Sequence, residues 1–340
     1  MKSIVPMSSV PAELIEHYLL QDGTGRGLRL DEVRWKYYDE QFNLGRERGY
    51  AWFSKDRVRG FIGMIPVKVA TPDGDRDMVW TCDWSVEDPE HNPGIGILLL
   101  SAVQKRYVFV GGVGGSADTH AIVPRMRTRT VEGAAVTLRR PLRLGPLLEA
   151  MERKLPFAPK LSRSKLSRFP LPRRKRPPGL AAATIEPGFD TALAPLFDQP
   201  ADDSCRVRHD SAHLAWLGRC PVLDLFSCRL ADGAAGALLW RRRAEPARWR
   251  LVLRSASGAA AAMEAVIVDV IDRLRSESAS LVSTIVSSQD RQLLHSLKRH
   301  GFIEGAERWP LYIPTMEGPG ACQDGFAQMS YLDTDLGIIP

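Results

Sequence analysis

The chain has 340 residues, with 46 Lys and Arg against 40 Asp and Glu and a formal net charge of +6. That length supports two ordinary domains, each with its own core, and a composition that is 44% hydrophobic and 25% charged is that of a globular protein rather than a disordered one. No apolar run reaches membrane-spanning length, and Met1-Lys-Ser-Ile-Val-Pro-Met lacks the apolar core of a signal peptide.

In chain order, Val10–Leu20 has the spacing of an amphipathic helix, and a Trp-bearing segment, Asp31–Tyr38, follows it. Tyr50–Ser54 and Val58–Val69 read as strands. Thr71-Pro-Asp-Gly-Asp75 is a turn in which proline fixes φ and glycine takes the positive-φ position. The strand Met78–Val86 runs into a polar loop, Glu87 to Pro93, which turns through Gly94 and Gly96 into a helix expected to reach about Lys105. Strand, glycine turn and helix start together present backbone N–H groups to an anion. Glycine permits close approach, and the positive end of the helix dipole favours phosphate. Tyr107–Gly111 is a short strand, Asp118–Met126 a helix and Val131–Thr137 a strand.

Between Arg153 and Arg176 stand ten Lys or Arg and no acid, interrupted by prolines that forbid a long helix. Without this segment the rest of the chain would be slightly acidic. The high pI therefore describes a linker, expected over residues 146–182, and no nucleic-acid partner is expected. The linker also offers a docking site for an acidic partner.

Beyond it the order repeats. Phe189–Phe197 is helix-like and Asp210–Trp216 is a second Trp-bearing segment. Leu223–Leu230, Ala234–Arg241 and Trp249–Arg254 read as strands. Ala259–Leu274 is a long helix, Leu281–Ile285 a strand, Asp290–Arg299 a helix with Gly301 at the C′ position, and Trp309–Ile313 a closing strand. Asp56-x-x-x-Gly60 and Asp232-x-x-x-Gly236 mark the same hairpin in each half. This is an internal duplication, with an α+β fold expected in each copy. Five cysteines form no CxxC pair and fit no common zinc spacing. Reduced thiols, no metal and a cytoplasmic location are expected.

This element order, with a glycine loop between the fourth strand and the next helix, resembles the GNAT acyltransferase superfamily in two tandem copies. The family's loop reads Arg/Gln-x-x-Gly-x-Gly/Ala; here the matching residues are His91-Asn92-Pro93-Gly94-Ile95-Gly96, with His in place of Arg or Gln and a proline that cannot donate. A second landmark, Leu-Gly-Phe after the fifth strand, is matched in the second half by Leu297-Lys-Arg-His300-Gly301-Phe302 and degraded in the first. The resemblance implies two GNAT-like domains, each a mixed, mainly antiparallel sheet flanked by helices. Residues 1–145 would bind acetyl-CoA or a longer acyl-CoA, and residues 183–340, with only Ser255-Ala-Ser-Gly258-Ala-Ala at the loop position, would shape the acceptor side.

The resemblance also implies an acyl group moved by direct attack to a small-molecule or peptide amine. The donor is acyl-CoA or an acyl carrier protein docked on the basic linker. The implied cofactor contacts are Val86, His91, Gly94, Ile95, Gly96 and Ile97. Asp83, an acid within an otherwise apolar strand, is the candidate base. Ser116 and His120 are the candidate acids for the leaving thiolate, because the family's tyrosine position falls on Val123. A catalytically silent tandem GNAT that binds a ligand or partner is the alternative, and a transfer-RNA-dependent peptidyl transferase of similar fold is a third reading.

Overall fold

A computed structural model of the chain describes residues 3–21, 28–43, 45–92, 94–126, 128–154, 169–172, 176, 178–179, 181–199, 205–256, 259–314, 326 and 329–333. The elements in order are β1 (Ser3–Pro6), α1 (Ala12–Leu20), α2 (Leu30–Tyr38), α3 (Glu40–Asn43), β2 (Gly49–Ser54), β3 (Arg57–Thr71), β4 (Gly74–Val86), α4 (Ile95–Arg106), β5 (Phe109–Val113), α5 (Ala117–Ile122) and β6 (Thr128–Pro141). Then come α6 (Gly145–Lys154), β7 (Thr184–Pro187), α7 (Ala194–Phe197), β8 (Arg206–Arg208), α8 (Ser211–Gly218), β9 (Leu223–Arg229), β10 (Ala235–Arg242), β11 (Arg248–Ser255), α9 (Ala260–Ser276), β12 (Leu281–Ser287), α10 (Arg291–Arg299) and β13 (Ile303–Pro314).

Two compact units form, and they do not follow chain order. The first comprises Met1–Ala134, Gln199–Pro221 and Trp309–Pro340, the second Ala135–Asp198 and Val222–Arg308. In the first unit β1, β2, β3 and β4 pair antiparallel in sequence, β4 and β5 pair parallel, and the end of β13 pairs antiparallel with β5 through Leu311 and Tyr312. In the second, β7, β9, β10 and β11 pair antiparallel, β11 and β12 pair parallel, and β6 pairs antiparallel with β12 from Ala135 to Pro141. Each parallel pair is joined by one helix, α4 or α9, as a parallel crossover requires. Each unit thus takes its last strand from the other half of the chain. A strand's hydrophobic period states which face is buried but not which neighbour it joins. The expected chain-order division at 145 and 183 places β6, α8 and β13 otherwise.

The cores follow from the periodicities. Leu99, Leu100 and Val103 lie three and four apart on α4 and are buried against Trp52, Ile62, Met64, Val79 and Val110 of the sheet. Each such side chain contributes about 1.5–3 kcal/mol on burial. In the second unit α9 packs Ala262, Val266, Ile267, Val270, Ile271 and Leu274 against β9, β10 and β11. α10 ends as its sequence predicts. Gly301 has φ +81°, Phe302 N–H bonds the Leu297 carbonyl at 3.1 Å, and Gly301 N–H bonds that of Lys298 at 3.0 Å. Leu297 and Phe302 close this C-cap inside the core.

The predicted helix Asp118–Met126 is shorter than expected, running Ala117–Ile122 with a 3-10 turn over Val123–Arg125. The expected linker begins as helix α6, which ends before the first proline of the run. Most of the basic run lies outside the described residues; within them Arg176 pairs with Asp269 at 3.1 Å. Cys82, Cys220 and Cys228 are reduced thiols, but Cys205 is disulfide-bonded, which corrects the expectation of reduced thiols throughout. Among the described residues no helix is long and apolar enough to cross a membrane, and no group of three His, Cys, Asp or Glu is placed to hold a metal.

Candidate functional site

β4 and β5 are held in parallel register only over Met78, Val79 and Trp80, opposite Phe109, Val110 and Gly111. Beyond that the strands part. The cause is a β-bulge in β4. Cys82 pairs with Gly63 and Ser85 with Phe61, so Asp83 and Trp84 together stand opposite Ile62 alone. Asp83 takes φ +45°, a strained value for a residue with a side chain.

A buried polar cluster holds the bulge. Asp83 is 2% exposed, and its Oδ2 accepts from Lys36 Nζ at 2.5 Å and from the Tyr37 hydroxyl. Gly63 makes room for that hydroxyl, since a Cβ there would overlap it. Burial, and then the Asp83 charge, hold the Tyr37 phenol well above its ordinary pKa. Arg48, buried beside Lys36, donates to the carbonyls of Met64 and Lys36 at 2.9 and 2.5 Å, and burial lowers its pKa to about 10. The two Trp-bearing segments meet in the same unit. Trp35 and Trp216 stack at 4.4 Å, and each indole N–H bonds the other's carbonyl, at 2.8 and 3.0 Å.

A cleft of about 630 Å³ opens where β4 and β5 separate. One wall is Trp84, Ser85 and Val86 of β4. The glycine loop forms the next side with Asn92, Gly94, Gly96 and Ile97, and α5 supplies Ser116, Thr119 and Ile122 opposite. Gly94 is the N-cap of α4 with φ +83°, and no side chain caps this end. The Gly96 and Ile97 N–H groups of the first turn are therefore directed at the space before the helix. Gly96 lies against the Trp84 indole, 3.4 Å from where its Cβ would stand. Glu87 N–H bonds the Arg59 carbonyl of β3 at 2.7 Å. N–H directions alternate along a strand, so Val86 points its own N–H to the opposite edge, where β5 has diverged.

Of the sequence-predicted residues, Val86, Gly94, Gly96, Ile97 and Ser116 line the cleft together. His91 is exposed outside it, and its N–H bonds the Asp88 carbonyl at 3.0 Å. Ile95 packs into the core beneath the loop. Asp83 faces the buried cluster rather than the cleft. Ser116 caps α5 by accepting from Thr119 N–H at 3.3 Å, and His120 Nδ1 is hydrogen-bonded to the Tyr312 hydroxyl. Glu87 pairs with Arg57 and Arg59 at 3.1 and 2.7 Å at the loop's base.

Sequence reading missed the Tyr18–Ser85 pair. Ser85 lines the cleft, and its Oγ lies 3.1 Å from the Tyr18 hydroxyl of α1; burial pushes the Tyr18 phenol to about 12. The 67 residues between them carry no local signal of the contact. Gly258, at the loop position of the second half, lies outside the described residues.

This chain has the tandem GNAT fold: in each unit a mixed, mainly antiparallel sheet is flanked by helices, and in the first the fourth and fifth strands part over a glycine loop. It is similar to a GCN5-related N-acetyltransferase from Anabaena variabilis, with a TM-score of 0.59 at 13% identity over 92% of this chain and 72% of that one. It is also similar to a tandem GNAT protein of the clavulanic acid biosynthesis pathway, with a TM-score of 0.54 at 11% identity over 94% and 100% of the two chains. Saccharomyces cerevisiae N-myristoyltransferase with bound myristoyl-CoA matches with a TM-score of 0.53 at 10% identity, over 94% of this chain and 84% of that one. No protein-family model and no curated protein matches the sequence.

Proposed function

We propose that the first unit is an acyltransferase site that takes an acyl group from acyl-CoA and passes it to an amine. The observation that carries this is the cleft itself: β4 and β5 splay apart beside an uncapped helix N-terminus reached through Gly94. The tandem GNAT fold supports the reading, as do neighbours named as acetyl- and myristoyltransferases.

Each residue has a chemical task in this proposal. The N–H groups of Gly94, Gly96 and Ile97 receive the pyrophosphate, where the helix dipole adds to their hydrogen bonds. Val86 N–H faces the carbonyl oxygen as it gains charge when the amine attacks and the C–S bond breaks. The Ser85 hydroxyl, bonded to Tyr18, is positioned to take the amine's proton toward solvent or a base. Ser116 offers a hydroxyl from the opposite wall to the departing thiolate. Asp83 keeps β4 bulged and so positions Trp84, Ser85 and Val86. An acyl carrier protein is the second donor of the same acyl chemistry, and the acceptor belongs to the class of small-molecule or peptide amines.

Calorimetry with CoA, acetyl-CoA and myristoyl-CoA, followed by thiol release with a panel of amines, tests the proposal. Binding of at least one acyl-CoA, weakened by Gly96→Val, is expected. Failure of every one of them to bind at millimolar concentration would overturn it, and binding without turnover would leave a ligand-binding protein.

A further inference from the structure

A second cavity in the first unit, about 480 Å³ in volume, lies at the other end of the β4–β5 pair. Met78 and Phe109, the first residues in parallel register, line it, whereas the acyl cleft begins beyond Trp80 and Gly111, the last. Three guanidinium groups face this cavity, those of Arg46, Arg76 and Arg106, against one carboxylate, Asp77. All four residues are exposed.

The arginines of this cavity differ from those around them. In the same unit Arg29, Arg34, Arg57, Arg59, Arg208 and Arg219 each hold a carboxylate within 3.1 Å. Among the described residues Arg46, Arg76 and Arg106 have no ion pair. Two of the acids nearby have partners of their own. Glu47 binds the Ser8 backbone and hydroxyl at 3.2 and 2.5 Å, and Asp75 pairs with Arg208. The Arg106 guanidinium is hydrogen-bonded to the phenols of Tyr107 and Tyr50. Three like charges gathered in one concavity with a single lining carboxylate repel on balance, and an anion placed among them is attracted by all three.

The form of the site narrows the ligand. Guanidinium forks match phosphate oxygens with two parallel hydrogen bonds each, which a single carboxylate does not satisfy three times over. The volume is in the range of small-molecule sites, and concavity favours such a ligand over the flat face of an acidic protein. Val108, 73% exposed, and the half-buried Tyr107 give the rim an apolar surface, above Met78 and Phe109, which are buried at 1% and 3%. The geometry points to a binding site for a phosphate ester of at least two negative charges with an apolar or aromatic remainder, separate from the acyl cleft. Arg46, Arg76 and Arg106 hold the phosphate, and Val108 and Tyr107 contact the remainder.

Calorimetric titration of the full chain with inorganic pyrophosphate and with phenyl phosphate tests this, in wild type, Arg76→Ser/Arg106→Ser, Arg46→Ser and Gly94→Val. The arginines are exposed, so thermal melts of the arginine variants should match wild type. Affinity about tenfold weaker for each arginine removed, with Gly94→Val unchanged, is the expected result. Binding that is lost in Gly94→Val and kept in the arginine variants would place the anion at the glycine loop and overturn the inference. So would the absence of binding by either probe at millimolar concentration when vesicles also fail to bind. Flotation with phosphatidylglycerol vesicles identifies the source of the phosphate. Arginine-dependent vesicle binding without binding of the free probes assigns the site to a lipid headgroup, and vesicle binding alike in wild type and arginine variants counts against it.

Discussion

Replacing Lys36 by Met removes one partner of a fully buried ion pair and leaves the other. Lys36 and Asp83 have side chains 2% and 0% exposed, with Nζ and Oδ2 2.5 Å apart. At an effective dielectric of about 20 the attraction at that distance is roughly 6–7 kcal/mol, and the desolvation of two ions offsets most of it. The pair's net worth is therefore small, but the cost of breaking it is not. An Asp83 carboxylate left without the ammonium, inside a bulge at φ +45°, should lower stability by about 3–5 kcal/mol. That is a large part of the ~5–15 kcal/mol that holds a typical domain folded. Asp83→Leu in the Lys36→Met background removes the stranded charge and should restore most of the loss, giving a coupling above about 2 kcal/mol. Equilibrium urea unfolding followed by tryptophan fluorescence of wild type, both single variants and the double variant measures this cycle. A Lys36→Met variant within about 1 kcal/mol of wild type, or a double variant no more stable than the single, would refute the reasoning.

Other outcomes follow from the same geometry. Gly96→Val sets a branched side chain against the Trp84 indole at the cleft wall, so acyl-CoA affinity should drop at least tenfold with the melting temperature little changed; unchanged affinity in calorimetry would reduce the loop to a turn. Gly63→Ala displaces the Tyr37 hydroxyl from Asp83 and should destabilise by about 1–3 kcal/mol, which urea melts would show. His213 is held neutral, its pKa well below the ordinary 6.5, by burial first and then by His209 and Arg48. Because only the unfolded chain takes up that proton, stability is full above pH 6.5 and should fall by about 1.4 kcal/mol per pH unit below it; His213→Gln should flatten this slope in pH-dependent urea melts. Tyr18 behaves oppositely: its phenol, raised by burial from 10.0 to about 12, contributes stability that is complete below pH 10 and lost as pH rises toward 12. Tyr18→Phe should make alkaline destabilisation shallower, and tyrosine absorbance titration should find one fewer late-ionising phenol.

Much of the fold was legible in the residues. The α4 and α9 stripes, the hairpin turns at Lys55–Asp56 and Gly233, and Gly301 as a C-cap all rest on local periodicity or on φ preferences that few residues satisfy. The glycine loop was legible for the same reason, and Val86, Gly94, Gly96, Ile97 and Ser116 do share one cleft. His91 was read from a motif position, whereas its side chain is exposed outside the cleft. Asp83 was read from the cost of burying a charge, which is the right physics. The sequence does not show that Lys36, 47 residues away, meets that cost. Tyr18 beside Ser85 was invisible for want of any short-range signal.

By itself the sequence determined the element types, their repetition in two halves and the glycine turn into α4, because each depends on a few neighbouring side chains. Only the tertiary structure decided that β13 completes the first unit and β6 the second, since strand partners are chosen by long-range pairing that periodicity does not encode. It also decided that the β4 bulge opens the cleft and that a buried Lys–Asp pair holds the bulge, because opposite charges are brought together by the fold and not by their spacing in the chain.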